Sequence, residues 1–155
     1  MCNETTPAAR RYGRPALNES EKLRSEVARY SEEYVIRAAA EITGEAWFVT
    51  LTTRYELTLK SSRRSIGRFA DFLRAKGRSV HAVWFAEKYK LKDGYHLHAL
   101  MASDAPREEL KEAWTIISKC AARSDFRKYK VGKRGGEYAC KYISKSGNTT
   151  DYDFI

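Results

Sequence analysis

Cysteine, histidine and proline each occur only three times in this 155-residue chain, and each scarcity excludes something. Cys2, Cys120 and Cys140 are odd in number, widely spaced and without a CxxC pair. That argues against a disulfide framework or a zinc knuckle and fits a reducing, intracellular setting. No apolar run approaches the ~18 residues of a membrane span, and mean hydropathy is −0.62, so no membrane partner is expected. The opening residues lack the apolar stretch of a secretory signal. No GxxxxGK[ST] loop is present, so no helicase is expected within the chain. Internal repeats and low-complexity segments are absent too. Acidic residues fall short of basic ones, 20 against 29, which leaves a formal net charge of +9. A surplus of that size favours a polyanionic partner, nucleic acid before an anionic membrane.

What is present is one domain's worth of chain, with 43% hydrophobic residues, enough for a single core. Residues 1–17 read as a flexible basic arm, 18–146 as the folded domain and 147–155 as an irregular tail. Asn18 with Glu21 three residues later forms a capping box for a first helix. Its expected apolar stripe is Leu23, Val27, Tyr30, Tyr34 and Ala38, and Gly44 can end it. The aromatic and β-branched stretch AWFVTLTT, Ala46–Thr53, predicts a strand. SSRRSIGRFADFLRAKG predicts a helix with Ile66, Phe69, Ala70 and Leu73 inward. SVHAVWFAEKY and GYHLHALMA predict two strands joined by the polar KLKDG. Asp104 and Pro106, with Glu108 and Glu109 in the first turn, start a helix whose stripe is Leu110, Ala113, Trp114 and Ile117. DFRKYKV predicts a further strand, and EYACKYISK has helical spacing. The resulting class is α+β: a central antiparallel sheet of about five strands flanked by helices.

Two of the three histidines, His96 and His98, stand on either side of one leucine. Alternate residues of a strand share a face, so both imidazoles point one way and Leu97 points into the core. If the strands pair around KLKDG, Glu87 lies beside them on the same face. Two imidazoles and a carboxylate on rigid strands make an open metal site. The plain alternative is two polar strand residues facing solvent. His81 has no such partner and reads as an ordinary surface or core histidine.

In YACKYISK, Tyr138, Lys141, Tyr142 and Lys145 fall at i, i+3, i+4 and i+7 and share one helical face. Ala139, Cys140 and Ile143 fall on the other. The face with two phenols and two ammonium groups is therefore not needed for a core. A tyrosine hydroxyl can attack a phosphodiester and form a covalent link, but its pKa near 10 makes it a poor nucleophile at neutral pH. A nearby metal and lysines favour phenolate and neutralise charge growing on the phosphate.

Three features follow one another along the chain: the strand Phe48-Val49-Thr50-Leu51-Thr52, then Glu87 ahead of His96-Leu97-His98, then the doubled Y-x-x-K at Tyr138 to Lys145. In that order they resemble the HUH endonuclease superfamily, and within it the rolling-circle replication initiators of the two-tyrosine, phage-like branch. The resemblance covers about residues 46–145. It implies that His96, His98 and Glu87 bind a divalent ion, Mg²⁺ or Mn²⁺. It implies that Tyr138 and Tyr142 are nucleophiles, with Tyr142 flanked by lysines on both sides, and that Lys141 and Lys145 assist at the phosphate. The implied reaction nicks single-stranded DNA at a replication origin, leaving a 5′-phosphotyrosine and a 3′-OH for polymerase. A host polymerase and helicase are the implied partners in the host cytoplasm; oligomeric state stays open. Thr50 and Thr52 are implicated in structure and DNA contact. The basic stretch Arg127, Lys128, Lys130, Lys133 and Arg134, with Arg10, Arg11 and Arg14 of the arm, supplies candidate phosphate contacts.

Other readings share parts of this pattern. Transposases and conjugative relaxases use the same chemistry. A non-catalytic basic nucleic-acid-binding domain could stack bases on Trp47 and Trp84, although core packing is the favoured role for both. A structural metal protein or a plain metal-dependent hydrolase completes the set. The chain is either a compact nickase or the catalytic domain of something larger.

Overall fold

A computed structural model describes residues 18–119, 124–130 and 152–155. The elements run α1 (Glu19–Glu41), β1 (Glu45–Leu51), α2 (Leu59–Ala75), β2 (Val80–Lys88), β3 (Tyr95–Ser103), α3 (Arg107–Ser118), β4 (Asp125–Lys128) and β5 (Tyr152–Phe154). The strands form one antiparallel sheet in the order β4-β1-β3-β2-β5. The α+β expectation holds. Among the described residues no helix is long and apolar enough to cross a membrane.

Alternation along the strands builds the two faces. Trp47, Val49 and Leu51 of β1, Ala82, Trp84 and Ala86 of β2, and Leu97, Ala99 and Met101 of β3 share a core with Ile66, Phe69, Ala70 and Leu73 of α2 and Leu110, Ala113, Trp114 and Ile117 of α3. Both expected helix stripes are thus the buried ones. Fully burying a side chain such as Phe69, Leu73 or Leu97 is worth about 1.5–3 kcal/mol each. Trp47 and Trp84 are 3% and 1% exposed, so neither ring offers a face to a base. The opposite face carries Val83, Phe85, Leu100 and Ala102 under Ala28, Val35 and Ala38 of α1.

Three local expectations are corrected. First, of the expected α1 stripe Ala38 is buried and Val27 and Tyr34 pack against the core, but Leu23 and Tyr30 are 58% and 62% exposed, and Ala28, Ser31 and Val35 take the buried positions instead. A helix lying flat on a sheet puts small residues at the contact line, so the larger apolar residues flank it. Second, α2 starts at Leu59 rather than at Ser61. Thr58 and Ser61 cap each other reciprocally, a box built with Ser in place of Glu or Gln. Third, the tail is not irregular throughout. Tyr152–Phe154 adds β5 to the edge of β2, with Val83 opposite Phe154 and Phe85 opposite Tyr152. Phe154 meets Tyr30 and Tyr34 edge-on at 5.8 and 5.3 Å, and the Arg63 guanidinium pairs with Asp153.

Turns set the strand ends. The capping box of Asn18 and Glu21 starts α1 as expected. At its end Thr43, not Gly44, takes the left-handed conformation (φ 53°). Gly44 is required for another reason: a Cβ there would lie 2.6 Å from the Ser103 carbonyl oxygen of β3. Gly94 has φ 93°, and a Cβ would lie 2.6 Å from Glu56 Cγ. It closes the β2–β3 hairpin by accepting from Tyr89 N–H at 3.0 Å. Asp104 does not cap α3; one of its oxygens accepts from Ser79 N–H at 2.9 Å.

Candidate metal centre

The β2–β3 register places Glu87 directly opposite His96, and Phe85 opposite His98. Leu97, fully buried between the two histidines, anchors that register in the α2–α3 core. A one-residue slip would push both imidazoles into that core and lift Leu97 out, so the hydrophobic alternation itself aims the histidines. They emerge on the α1 face, one step beyond the Phe85 and Leu100 positions that α1 covers.

There His96 Nε2 and His98 Nε2 lie 2.7 and 2.8 Å from the same atom, Glu87 Oε2. The two rings are edge-on with centroids 4.7 Å apart. Their side chains are 16% and 6% exposed, that of Glu87 14%. Three donor atoms within 4.8 Å of one another can hold a metal ion. The separations to Glu87 Oε2 are close to the ~3 Å between cis ligands of an octahedral ion bound at about 2.1 Å. Three ligands from two strands leave coordination positions for water or substrate.

Burial pushes the pKa of both histidines down. For His96 the neighbouring His98 lowers it further, Glu87 opposes, and Lys92 adds a small lowering. For His98 the Glu87 hydrogen bond and charge oppose burial. Both rings are therefore neutral at pH 7 with a lone pair to offer. The sign for stability follows. With folded pKa values below the unfolded 6.5, the unfolded chain binds more protons as pH drops. The metal-free protein keeps this stability above pH ~6.5 and loses it as pH falls through that value toward the folded pKa values. Thermal melts in EDTA should show Tm falling between pH 7.5 and 5.5, and a variant lacking both histidines should show a smaller fall.

The expected DNA contact Thr50 has a different neighbour. β1 pairs with β3 so that Thr50 faces His98, and its Oγ1 lies 3.2 Å from His98 Nδ1. With the Nε2 proton directed at Glu87, the hydroxyl donates to Nδ1. With a cation on Nε2 the proton moves to Nδ1 and the same hydroxyl accepts. Only a group that both donates and accepts serves both tautomers. Partners of this kind are worth about 10–100-fold in metal affinity. Thr50→Val should weaken Mn²⁺ binding by that order in calorimetry, and Thr50→Ser should restore it. Phe48 packs on the His98 ring at 6.1 Å and 29°. Sequence periodicity alone could not find the Thr50 contact, because it depends on which strand lies beside β3.

The other expected residues scatter. Thr52 accepts from Trp114 Nε1–H at 2.9 Å through its carbonyl, a structural contact. Arg127 and Lys128 point to opposite faces of β4, since they pair with Phe48 and Trp47 respectively. Arg127 Nε meets Asp125 at 2.5 Å and Lys128 Nζ meets Glu45 at 2.8 Å. Lys130 is exposed just beyond the strand. His81 Nδ1 lies 3.4 Å from Tyr34 Oη, away from the cluster. Lys133, Arg134, Tyr138, Lys141, Tyr142, Lys145 and the arginines of the arm lie outside the described residues.

A five-stranded antiparallel sheet with a His-x-His strand at its centre and a carboxylate on the adjoining strand defines an α+β protein with a His–Glu cluster on one face of the sheet, close enough together to hold a metal ion. The family of replication-associated proteins of the ORF2 type matches residues 46–147, about two-thirds of the chain. The chain belongs to that family, which ties it to DNA replication. The match spans the cluster and the tyrosine–lysine segment. No curated protein and no solved structure matches the chain.

Proposed function

We propose that the protein is a metal-dependent endonuclease and strand transferase of the HUH type, which nicks single-stranded DNA at a replication origin to start rolling-circle replication. The convergence of His96, His98 and Glu87 on one point carries this reading. The family membership and the ordered motifs support it.

A divalent ion at this cluster would polarise the scissile phosphate and offset its charge. His96, His98 and Glu87 would hold it, and Thr50 would fix the tautomer of His98. Tyr138 or Tyr142 supplies the nucleophile. The phenolic oxygen bonds to phosphorus, the bond from phosphorus to the 3′ oxygen breaks, and the phenol's proton ends on that oxygen. The products are a 5′-phosphotyrosine and a 3′-OH, and the number of phosphoester bonds is unchanged. Because the link keeps the energy of the broken bond, a returning 3′-OH can reverse it and rejoin the strand. Lys141 and Lys145 neutralise charge on the phosphate, and Lys130, Lys133 and Arg134 contribute sequence-independent contacts.

The test is incubation of the protein with Mn²⁺ and a pool of labelled single-stranded oligonucleotides, resolved on a denaturing protein gel. A labelled band that migrates with the protein and disappears with EDTA is the expected result. Cleavage without any protein-linked label would point to a plain metal-dependent hydrolase, and binding without cleavage to a nucleic-acid-binding domain.

A further inference from the structure

The hairpin joining β2 to β3 places a cation where metal binding alone would not want one. Tyr89 packs on the His96 ring at 4.8 Å between centroids. Lys92 Nζ stands 4.0 Å from the centroid of the Tyr89 ring on this same side of the sheet. That ammonium is thus joined to His96 through a single ring. A divalent ion bound to His96 would feel it as repulsion. At the hairpin tip Lys90, Leu91, Lys92 and Asp93 are all exposed, Leu91 completely. From Lys88 to Gly94 the hairpin holds three lysines against one acid, Asp93. Lys88 belongs to the other face, because it follows Glu87 in the strand alternation.

An anion lying between or beside Lys92 and an ion at the cluster would be attracted by both. Resting on reading the cluster as the centre that acts on single-stranded DNA, we propose that this hairpin is a phosphate clamp. Lys92, seated on Tyr89, binds a backbone phosphate neighbouring the one at the metal centre, while Lys90 and Leu91 extend the contact along the strand. Tyr89 is the positioning residue: its ring keeps the long lysine side chain over the site by a cation–π contact and joins it mechanically to His96. The occupant is the sugar–phosphate chain, so the clamp is indifferent to base sequence.

The clamp makes a prediction of opposite signs. Lys92→Gln removes a repulsive charge from the metal and an attractive one from DNA. Mn²⁺ affinity, read by calorimetry without DNA, should rise about two- to threefold. Affinity for a labelled single-stranded oligonucleotide, read by fluorescence anisotropy in EDTA, should fall about five- to tenfold. The slope of log affinity against log salt should shrink by about 0.7, the value for one phosphate contact on a single strand. Lys92→Arg should restore DNA binding. Lys88→Gln, the same charge change on the opposite face, should leave both affinities near wild type. Losing metal and DNA affinity together in Lys92→Gln would show that the lysine merely braces the hairpin, which overturns the clamp. So would an unchanged salt slope, or an equal effect from Lys88→Gln. In those cases wild-type DNA binding still stands and the parent reading survives; wild-type protein that binds no single strand overturns both.

Discussion

Replacing His96 and His98 together with alanine should abolish high-affinity Mn²⁺ binding and lower the proposed DNA cleavage by about a thousandfold or more, while the chain still melts cooperatively. The magnitude follows from what the ion contributes. Polarising a phosphoryl oxygen is worth several kcal/mol of transition-state stabilisation, and each 1.36 kcal/mol is tenfold in rate. The fold tolerates the change because Leu97, Ala99 and Met101 keep β3 in register from the other face. Each substituted position retains its backbone partner, His96 with Glu87 and His98 with Phe85 and Thr50. Glu87 then loses both contacts of 2.7 and 2.8 Å but remains at the rim, where water can reach it. Glu87→Gln tests the third ligand separately: two imidazoles remain, so Mn²⁺ binding weakens without vanishing. Calorimetry, circular dichroism and the denaturing-gel assay read the three quantities on the same samples. Cleavage at the wild-type rate in the double variant would remove the metal centre from the reaction.

The legible and illegible parts of the structure divide along one physical line. Features set by local periodicity could be read from the chain. Alternation puts His96 and His98 on one face and Leu97 on the other, and the stripes of α2 and α3 match their buried residues. Glu87 could be placed because a short hairpin fixes the register of its strand. Features set by which elements lie side by side could not be read. Thr50 meets His98 only because β1 pairs with β3 on the edge not taken by β2. β5 is three residues long, too short for a periodicity signal, and exists because β2 offers an unpaired edge with Val83 and Phe85 beneath it. The stripe of α1 was misread at Leu23 and Tyr30 because the close contact with the sheet is made partly by the small side chains of Ala28 and Ser31, which give no strong apolar signal, while the large side chains of Leu23 and Tyr30 lie exposed. The basic run beginning at Arg127 looks like one patch in sequence, but a strand deals alternate residues to opposite faces, and neighbouring acids engage Arg127 and Lys128. The single hairpin lysine on Tyr89 carries a more specific electrostatic message than that run.

Tyr138→Phe and Tyr142→Phe should each retain part of the covalent DNA adduct, and the double variant should form none. Residues four apart on a helix are separated by about 6 Å along its axis and point the same way. If the YACKYISK spacing is helical, as the sequence predicts, both phenols should be able to reach one phosphate, though not equally well in one pose. Each tyrosine has a lysine three residues later, Lys141 and Lys145, so each has its own partner for the phosphate charge. Phe keeps the ring and removes only the nucleophilic oxygen, so a loss of adduct cannot come from lost packing. Two nucleophiles also predict a division of labour. One phenol opens the strand, and the second attacks when the origin is regenerated, so a single variant should nick yet fail to release a closed circle. Tyr142 has Lys141 before it and Lys145 after it in sequence, so the first attack is expected of it. Its loss should therefore lower the initial adduct more than the loss of Tyr138. The opposite pattern is also measurable: one single variant dead, the other fully active through cleavage and rejoining. That result would define a one-tyrosine enzyme, in which the second ring is structural and rejoining needs a returning 3′-OH or another protomer.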